Sequence, residues 1–171
     1  NGALAPLLCV ALDLALFGAR AKRHREQRWM MQLILLAAGG ALAAVLLSGY
    51  GERLIAAYGI RDYSPLERVM TQMRVLWHYL GQILWPDVSS MGLYHDAFPP
   101  SRGWMQPVST LIGLLAWLVV LALAWIVRAR LPLFAAGLVL FLLGHALEAS
   151  PLNLELYFEH RNYLPMFGVL L

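Results

Sequence analysis

The densest group of titratable side chains in the sequence lies between residues 148 and 161. Three carboxylates, a histidine and an arginine fall within this stretch: Glu148, Glu155, Glu159, His160 and Arg161. An arginine can bind a phosphate through two parallel hydrogen bonds, and a histidine or carboxylate beside it can transfer a proton or hold a metal. A solvated loop with internal salt bridges would have the same composition, so spacing alone names no reaction.

A second polar pair, His95 and Asp96, lies in the stretch 87–107, which is predicted to be a loop because it contains Pro99 and Pro100 in succession. Taken singly, His95 is an ordinary loop residue. If this loop and the 148–161 stretch lie on the same side of a membrane, however, the two could border one cavity at the bilayer edge.

The composition is that of a membrane protein and excludes a free-standing soluble domain. Of 171 residues, 60% are hydrophobic and 13% are charged, whereas soluble domains are about half apolar and about a quarter charged. A single soluble core leaves much of the chain facing water, so this much apolar surface requires lipid as its solvent. The one cysteine, Cys9, lies in an apolar run and gives no disulfide framework.

Five apolar segments are predicted to cross the bilayer as helices, which gives an all-α, polytopic transmembrane bundle in a single membrane domain. The segments are residues 3–17, 29–50, 108–127, 131–147 and 165–171. The first and last are short of the roughly 20 residues that a span needs. Since the chain starts at Asn1 and stops within an apolar run, we expect it to be an internal part of a longer protein.

The basic residues select one orientation of this bundle. Seven of the 13 lysines and arginines lie in two short turns, and the other six are spread over the long loops. Positive-inside asymmetry therefore places the turns in the cytoplasm and the regions 51–107 and 149–164 on the outer side. The basic run 20–28 is then a topology signal that also meets anionic lipid, and we expect no nucleic-acid partner. The turn residues are Arg20, Lys22, Arg23, Arg25, Arg28, Arg128 and Arg130.

Ionisable side chains inside predicted spans need an explanation, because each costs roughly 2.5 kcal/mol or more at the bilayer centre. Asp13 lies in the first span, where a hydrogen bond to another helix is its simplest role. His145 and Glu148 are three residues apart, so they share one face at the outer end of the fourth span. They form either a structural polar pair or part of a site.

The outer region also contains a predicted helix over residues 65–84 that does not span. Ser64 and Glu67 have the spacing of a capping box, and Pro65 suits the first helical position. Apolar residues recur at steps of three or four on one side (Leu66, Val69, Met70, Met73, Trp77, Leu80 and Leu84), and polar residues occupy the other (Glu67, Arg68, Thr71, Gln72, His78 and Gln82). The pattern fits an amphipathic helix in the membrane interface, apolar side down, and equally a helix packed on its own protein.

The stretch Glu159-His160-Arg161-Asn162-Tyr163-Leu164-Pro165, followed by Gly168, resembles a motif of a membrane enzyme family. This family is the transmembrane and tetratricopeptide-repeat protein O-mannosyltransferases of the C-type glycosyltransferase superfamily, with their bacterial relatives. Looser similarity extends over the remaining chain in order, at Asn1-Gly2, at 94–99 and at the residues Glu148, Ser150 and Pro151.

The resemblance implies an integral enzyme of a bacterial inner membrane that moves a sugar from a polyprenyl-phosphate carrier to a protein or glycan acceptor at the non-cytoplasmic face. Arg161 would contact the carrier phosphate, with Glu159, His160 and Tyr163 shaping that site. Glu148, Glu155, His95 and Asp96 would form a supporting polar cluster. The catalytic acid of the superfamily is expected upstream of residue 1, and tetratricopeptide repeats after Leu171. A divalent metal stays open as a cofactor, although no Cys or His pair has zinc-site spacing.

The alternative is a non-enzymatic membrane protein, such as a scaffold or part of a transporter. In such a protein the same charges would hold helices and loops together. An acidic residue in the first outer loop upstream would favour the enzyme, whereas an internal hydropathy repeat with broken helices at the midplane would favour a transporter.

Overall fold

The described part of the chain is all-helical, which confirms the all-α expectation. The computed structural model describes residues 5–17, 32–33, 36–37, 39–40, 44, 48, 56–86, 98–157 and 162–171. Over these residues it contains five α-helices and no strand: α1 (Ala5–Phe17), α2 (Pro65–Leu84), α3 (Ser109–Val127), α4 (Pro132–His145) and α5 (Tyr163–Leu170). A short 3-10 helix, Ala57–Ile60, precedes α2.

The start of α2 is defined by the chemistry that the sequence predicts. The Ser64 hydroxyl accepts a hydrogen bond from the Glu67 backbone N–H at 3.3 Å, and the Glu67 carboxylate accepts one from the Ser64 backbone N–H at 2.7 Å. Pro65 occupies the first helical turn, where its missing N–H costs nothing. The capping box is therefore confirmed, and α2 covers the predicted residues.

The buried surface of α2 extends beyond the predicted apolar side, of which Met70 and Trp77 are packed inside the protein. Leu66 and Leu84, assigned to the buried apolar side, are exposed at the two ends of the helix, whereas Arg68, Thr71 and Gln72, assigned to the opposite side, are buried. A polar stripe can face the interior when its hydrogen bonds are satisfied there. The prediction for the polar side is wrong in this respect, and the helix is packed on its own protein.

Helix α2 packs against α3 through two tryptophans. The Trp77 indole donates to the Gly113 carbonyl at 3.0 Å, and the Trp117 indole donates to the Met73 carbonyl at 3.1 Å. The two rings stack with their centroids 4.4 Å apart. Gly113 permits this approach, because a Cβ there would lie 3.3 Å from the Met73 carbonyl oxygen.

Helices α4 and α5 form an antiparallel pair that depends on glycine. A Cβ at Gly137 would lie 2.2 Å from the Gly168 carbonyl oxygen, and a Cβ at Gly144 would lie 2.8 Å from the Pro165 ring. Small residues let helix backbones approach closely enough for dispersion contacts, which is how helices associate in lipid. The α4–α5 contact is therefore backbone against backbone.

Helix α1 packs against α4 and carries Asp13. The Asp13 carboxylate accepts a hydrogen bond from the Gln32 side-chain amide at 2.6 Å. Gln32 is itself helical and half-buried. This contact agrees with the structural interpretation of Asp13, a hydrogen bond between helices.

One helix in the described part of the chain, α3, is long and apolar enough to cross a membrane by its length and composition. Helix α4 is apolar but has only 14 residues. The other predicted spans are represented by α1, with 13 residues, and α5, with eight. The segment 29–50 lies largely outside the described residues. The arrangement of five spans stays a prediction.

Candidate functional site

The predicted site residues divide into two sets. Glu148, Glu155 and Tyr163 are described by the structure. The remaining ones, His95, Asp96, Glu159, His160 and Arg161, lie outside the described residues. The described neighbours on either side of the gap at 158–161 therefore carry the structural information about the motif.

Arg68 of α2 organises the segment that leads to the motif, residues 148–157. Its side chain is fully buried, and its guanidinium donates to four backbone carbonyls of that segment. The acceptors are Glu148 O at 2.9 Å, Ser150 O at 3.2 Å, Glu155 O at 3.3 Å and Leu154 O. The planar fork of an arginine can serve several acceptors at once. One side chain therefore closes the 148–157 segment around α2.

Two further side chains hold the same segment. Gln72, one turn after Arg68, donates to Leu156 O at 2.8 Å, and the Tyr58 hydroxyl donates to Pro151 O at 2.8 Å. Burial raises the pKa of the Tyr58 phenol, with Arg68 acting in the opposite direction, so the hydroxyl remains a donor at neutral pH. The 148–157 segment is thus fastened at both ends and at its centre.

The two carboxylates of this segment have different surroundings. Glu148 is buried, as is His145 three residues before it. Glu155 reaches the surface, where its carboxylate lies 3.8 Å from the Arg61 guanidinium and both side chains remain more than a third exposed. An exposed pair at that distance contributes little to stability. No group of three or more metal-ligating side chains converges among the residues that the structure describes.

His145 holds the second half of the motif. Its Nδ1 lies 3.0 Å from the Phe141 carbonyl oxygen and its Nε2 lies 3.0 Å from Asn162 Oδ1. Since Nδ1–H must donate to the Phe141 carbonyl, the contact with Asn162 requires either a second ring proton or the amide orientation that presents its NH2 group. In both cases Asn162 is anchored to the end of α4.

The residues after Asn162 alternate between contact and exposure. Pro165 and Gly168 are buried against α4. Tyr163, by contrast, is 73% exposed. Of the described motif positions, Asn162, Pro165 and Gly168 therefore attach the motif to α4, whereas the Tyr163 side chain lies at the surface.

An aromatic stack connects these anchors. Tyr79 of α2 stacks on His145 at 4.9 Å and on Tyr157 at 5.0 Å between ring centroids. Phe98 stacks on Tyr157 at 6.0 Å, and the Arg74 guanidinium lies 4.8 Å from the Phe98 centroid. Offset stacks of this kind contribute about 0.5–1.5 kcal/mol per pair beyond the area they bury. Tyr157 is consequently fixed directly before the gap, as Asn162 is directly after it.

The sequence interpretation missed Arg68, Gln72, Tyr79 and Tyr157 as organisers of this region. A signal for the first three was present, since Arg68, Gln72, Val75 and Tyr79 recur at steps of four, three and four and so share one face of a helix. The stripe begins with two polar residues, Arg68 and Gln72, so a prediction based on hydropathy assigns it to the exposed side. Tyr157 had no comparable pattern.

Comparison of the chain with family models, with curated proteins and with solved structures finds no match in any of the three.

Proposed function

We propose that the chain is part of an integral membrane glycosyltransferase that moves a sugar from a polyprenyl-phosphate carrier to a protein or glycan acceptor at the non-cytoplasmic face of a bacterial inner membrane. The observation that carries the proposal is the Glu159–Pro165 motif. Its support from the structure is that the described residues on either side of 158–161 are anchored: Tyr157, before the motif, by the aromatic stack, and Asn162, within it, by His145. A motif attached at both ends suits a binding role, because binding sites need a rigid support.

The membrane setting belongs to the same proposal: a polytopic bundle of five spans with the 51–107 and 149–164 regions outside. The apolar surface of α3 supports it, since exposed leucine, isoleucine and valine side chains cover the part of that helix that does not pack against α2. Arg128 and Arg130 follow α3 directly, at the end that positive-inside asymmetry assigns to the cytoplasm. The anchored polar segments would then lie at the opposite, outer end.

In the proposed site Arg161 binds the carrier phosphate. A guanidinium matches two phosphate oxygens at once, which a lysine ammonium cannot do. Glu159 and His160 shape the surroundings of that phosphate, and the exposed Tyr163 offers a hydroxyl and a ring face beside it. Glu148, Glu155, His95 and Asp96 are supporting polar residues, and the catalytic acid is contributed from outside this sequence.

The test is sugar transfer by the full-length protein in native membranes, with a labelled polyprenyl-phosphate sugar as donor. Arg161→Ala should lower the rate by about 100-fold or more, because a charged group aimed at the reacting phosphate is lost. Arg102→Ala is the matched control, since Arg102 is an outer, half-exposed arginine that pairs with Glu67 at 3.8 Å. Transfer by the Arg161 variant at the rate of the control would refute the assignment, provided that both proteins reach the membrane in equal amounts.

A second candidate is a non-enzymatic membrane scaffold or transporter part. It is favoured by the structural use of Arg68, His145 and Asp13, all of which contact other parts of the same chain. The absence of any sugar transfer by the wild-type full-length protein, together with correct membrane insertion, would select this candidate.

A further inference from the structure

The turn at residues 101–108, which directly precedes α3, has a polar base. Ser101 is fully buried; its backbone N–H donates to the Thr71 hydroxyl at 2.8 Å, and its own hydroxyl lies 2.8 Å from that of Thr110. The Arg102 backbone N–H donates to Gln106 O at 2.8 Å and closes the turn. The base is therefore fixed to both α2 and α3.

The tip of this turn is apolar and faces outward. Trp104 is 51% exposed and Met105 is 65% exposed. Turn tips in contact with water are usually polar, and a rigid loop that presents a tryptophan and a methionine is unusual for a solvated surface. The turn therefore buries the polar side chain of Ser101 at its base and exposes two large apolar side chains at its tip, the reverse of the arrangement expected for a loop in water.

The position of the tip relative to α3 indicates what covers it. Helix α3 has 19 residues, and at a rise of 1.5 Å per residue its length is about 28 Å, close to the hydrocarbon thickness of about 30 Å. Trp125 near its other end is 70% exposed, and the Arg128 guanidinium lies 3.5 Å from the Trp125 ring centroid. Tryptophans at both ends of an apolar helix, with an arginine beyond one of them, match the two interfacial belts of a bilayer.

We propose that the Trp104–Met105 tip inserts into the outer-leaflet interface of the membrane and sets the depth of α3 together with Trp125. The partner is the lipid bilayer itself, at the level of the headgroups and upper acyl chains. Because Ser101 ties the turn to Thr71 of α2, the tip also sets the position of α2 and of the 148–157 segment along the membrane normal. This inference rests on the membrane setting of the proposed function and not on the transfer reaction.

The experiment places an environment-sensitive fluorophore at single cysteines of the full-length protein, with Cys9 replaced by Ser, in vesicles of zwitterionic and anionic phospholipid. Met105→Cys reports the tip. Leu118→Cys, at the exposed middle of α3, reports the bilayer core, and Asp62→Cys, an exposed residue before α2, reports water. Each sample is quenched by lipids carrying a nitroxide near the headgroup, by lipids carrying it near the chain end, and by aqueous iodide.

The probe at 105 should show a blue-shifted emission relative to that at 62, with stronger quenching by the shallow nitroxide than by the deep one. The probe at 118 should show the opposite order of the two nitroxides. Iodide quenching at 105 equal to that at 62, while 118 stays in the core, would overturn the insertion of the tip alone. Iodide quenching at all three positions would overturn the membrane setting as well. A probe at 105 that no quencher reaches would mean a protein partner, and would also overturn the proposal.

Discussion

Replacing Arg68 tests whether one buried guanidinium holds the 148–157 segment in place. The side chain is fully buried and donates to four carbonyls of that segment. A hydrogen bond from a charged donor contributes about 1.5–3 kcal/mol, and the four bonds share one side chain, so they do not add in full. Removal of one partner from a buried charged network typically costs about 3–5 kcal/mol. We expect Arg68→Ala to lose this amount, a large share of the about 5–15 kcal/mol by which proteins are stable.

Arg68→Lys should fall between the wild type and the alanine variant. A lysine keeps the charge but has three donors on one nitrogen, so it cannot serve four carbonyls spread along a loop. Its expected cost is about 2 kcal/mol, the loss of one or two charge-assisted bonds.

Thermal unfolding in a mild detergent, combined with hydrogen exchange of the backbone amides, measures both the size and the location of the effect. The melting temperature of Arg68→Ala should fall by roughly 10 °C or more, and residues 148–157 should exchange faster than those of α3. Arg128→Ala is the control, since Arg128 lies on the surface over the Trp125 ring and its loss should cost less than about 1 kcal/mol. Equal melting temperatures for the two alanine variants would refute the structural role given to Arg68.

Two further predictions concern the helix pair and the cap. Gly168→Ala should destabilise the protein by about 1–3 kcal/mol by overpacking, because a Cβ there would lie 2.3 Å from the Gly137 carbonyl oxygen. Gly81→Ala in α2 is the control, because a Cβ at Gly81 would have no neighbouring atom within 4 Å. It should leave the protein's stability unchanged or raise it by up to about 1 kcal/mol, and the melting temperatures of the two variants measure the difference. The hydrogen bond from the Ser64 backbone N–H lowers the pKa of the Glu67 carboxyl below its ordinary value. The Ser64 side chain and the Arg102 charge act in the same direction, whereas partial burial acts in the opposite one. The ionised Glu67 carboxylate therefore stabilises the folded protein at neutral pH. This stabilisation is lost as the pH falls from the pKa of Glu67 in the unfolded chain through its lower pKa in the folded protein. Glu67→Gln should remove this part of the acid sensitivity when melting temperatures are measured over a series of pH values.

The start of α2 could be predicted from the sequence because it depends on local contacts, whereas the face of α2 that is buried could not. Ser64, Pro65 and Glu67 determine where the helix begins through contacts three residues apart, and such contacts can be inferred from spacing alone. The face that is buried depends on acceptors 80 to 84 residues away, at Glu148, Ser150 and Leu156. Periodicity identifies a polar stripe but cannot distinguish water from a loop that supplies carbonyls.

The same limit applies to the candidate site. Clustering drew attention to the motif and to Glu148 and Glu155, and the structure adds that Glu148 is buried while Glu155 faces Arg61. The close approach of α4 and α5 was not predicted, because a glycine in an apolar run has no local sign that another backbone will contact it. Gly137 and Gly168 acquire their meaning only as a pair.

The buried polar stripe of α2 has a physical reason in the proposed membrane setting. An irregular segment between two apolar helices has backbone carbonyls that need donors, and wherever such a segment reaches the hydrocarbon region no water supplies them. Arg68 and Gln72 supply these donors from within the protein, so the 148–157 segment can leave helical geometry without leaving its carbonyls unsatisfied. An amphipathic helix lying apolar side down on lipid would have directed the same side chains into water and left the segment without them. The burial of Arg68 and Gln72 on α2 is therefore what allows a non-helical segment, with the motif that follows it, to be held between α4 and α5.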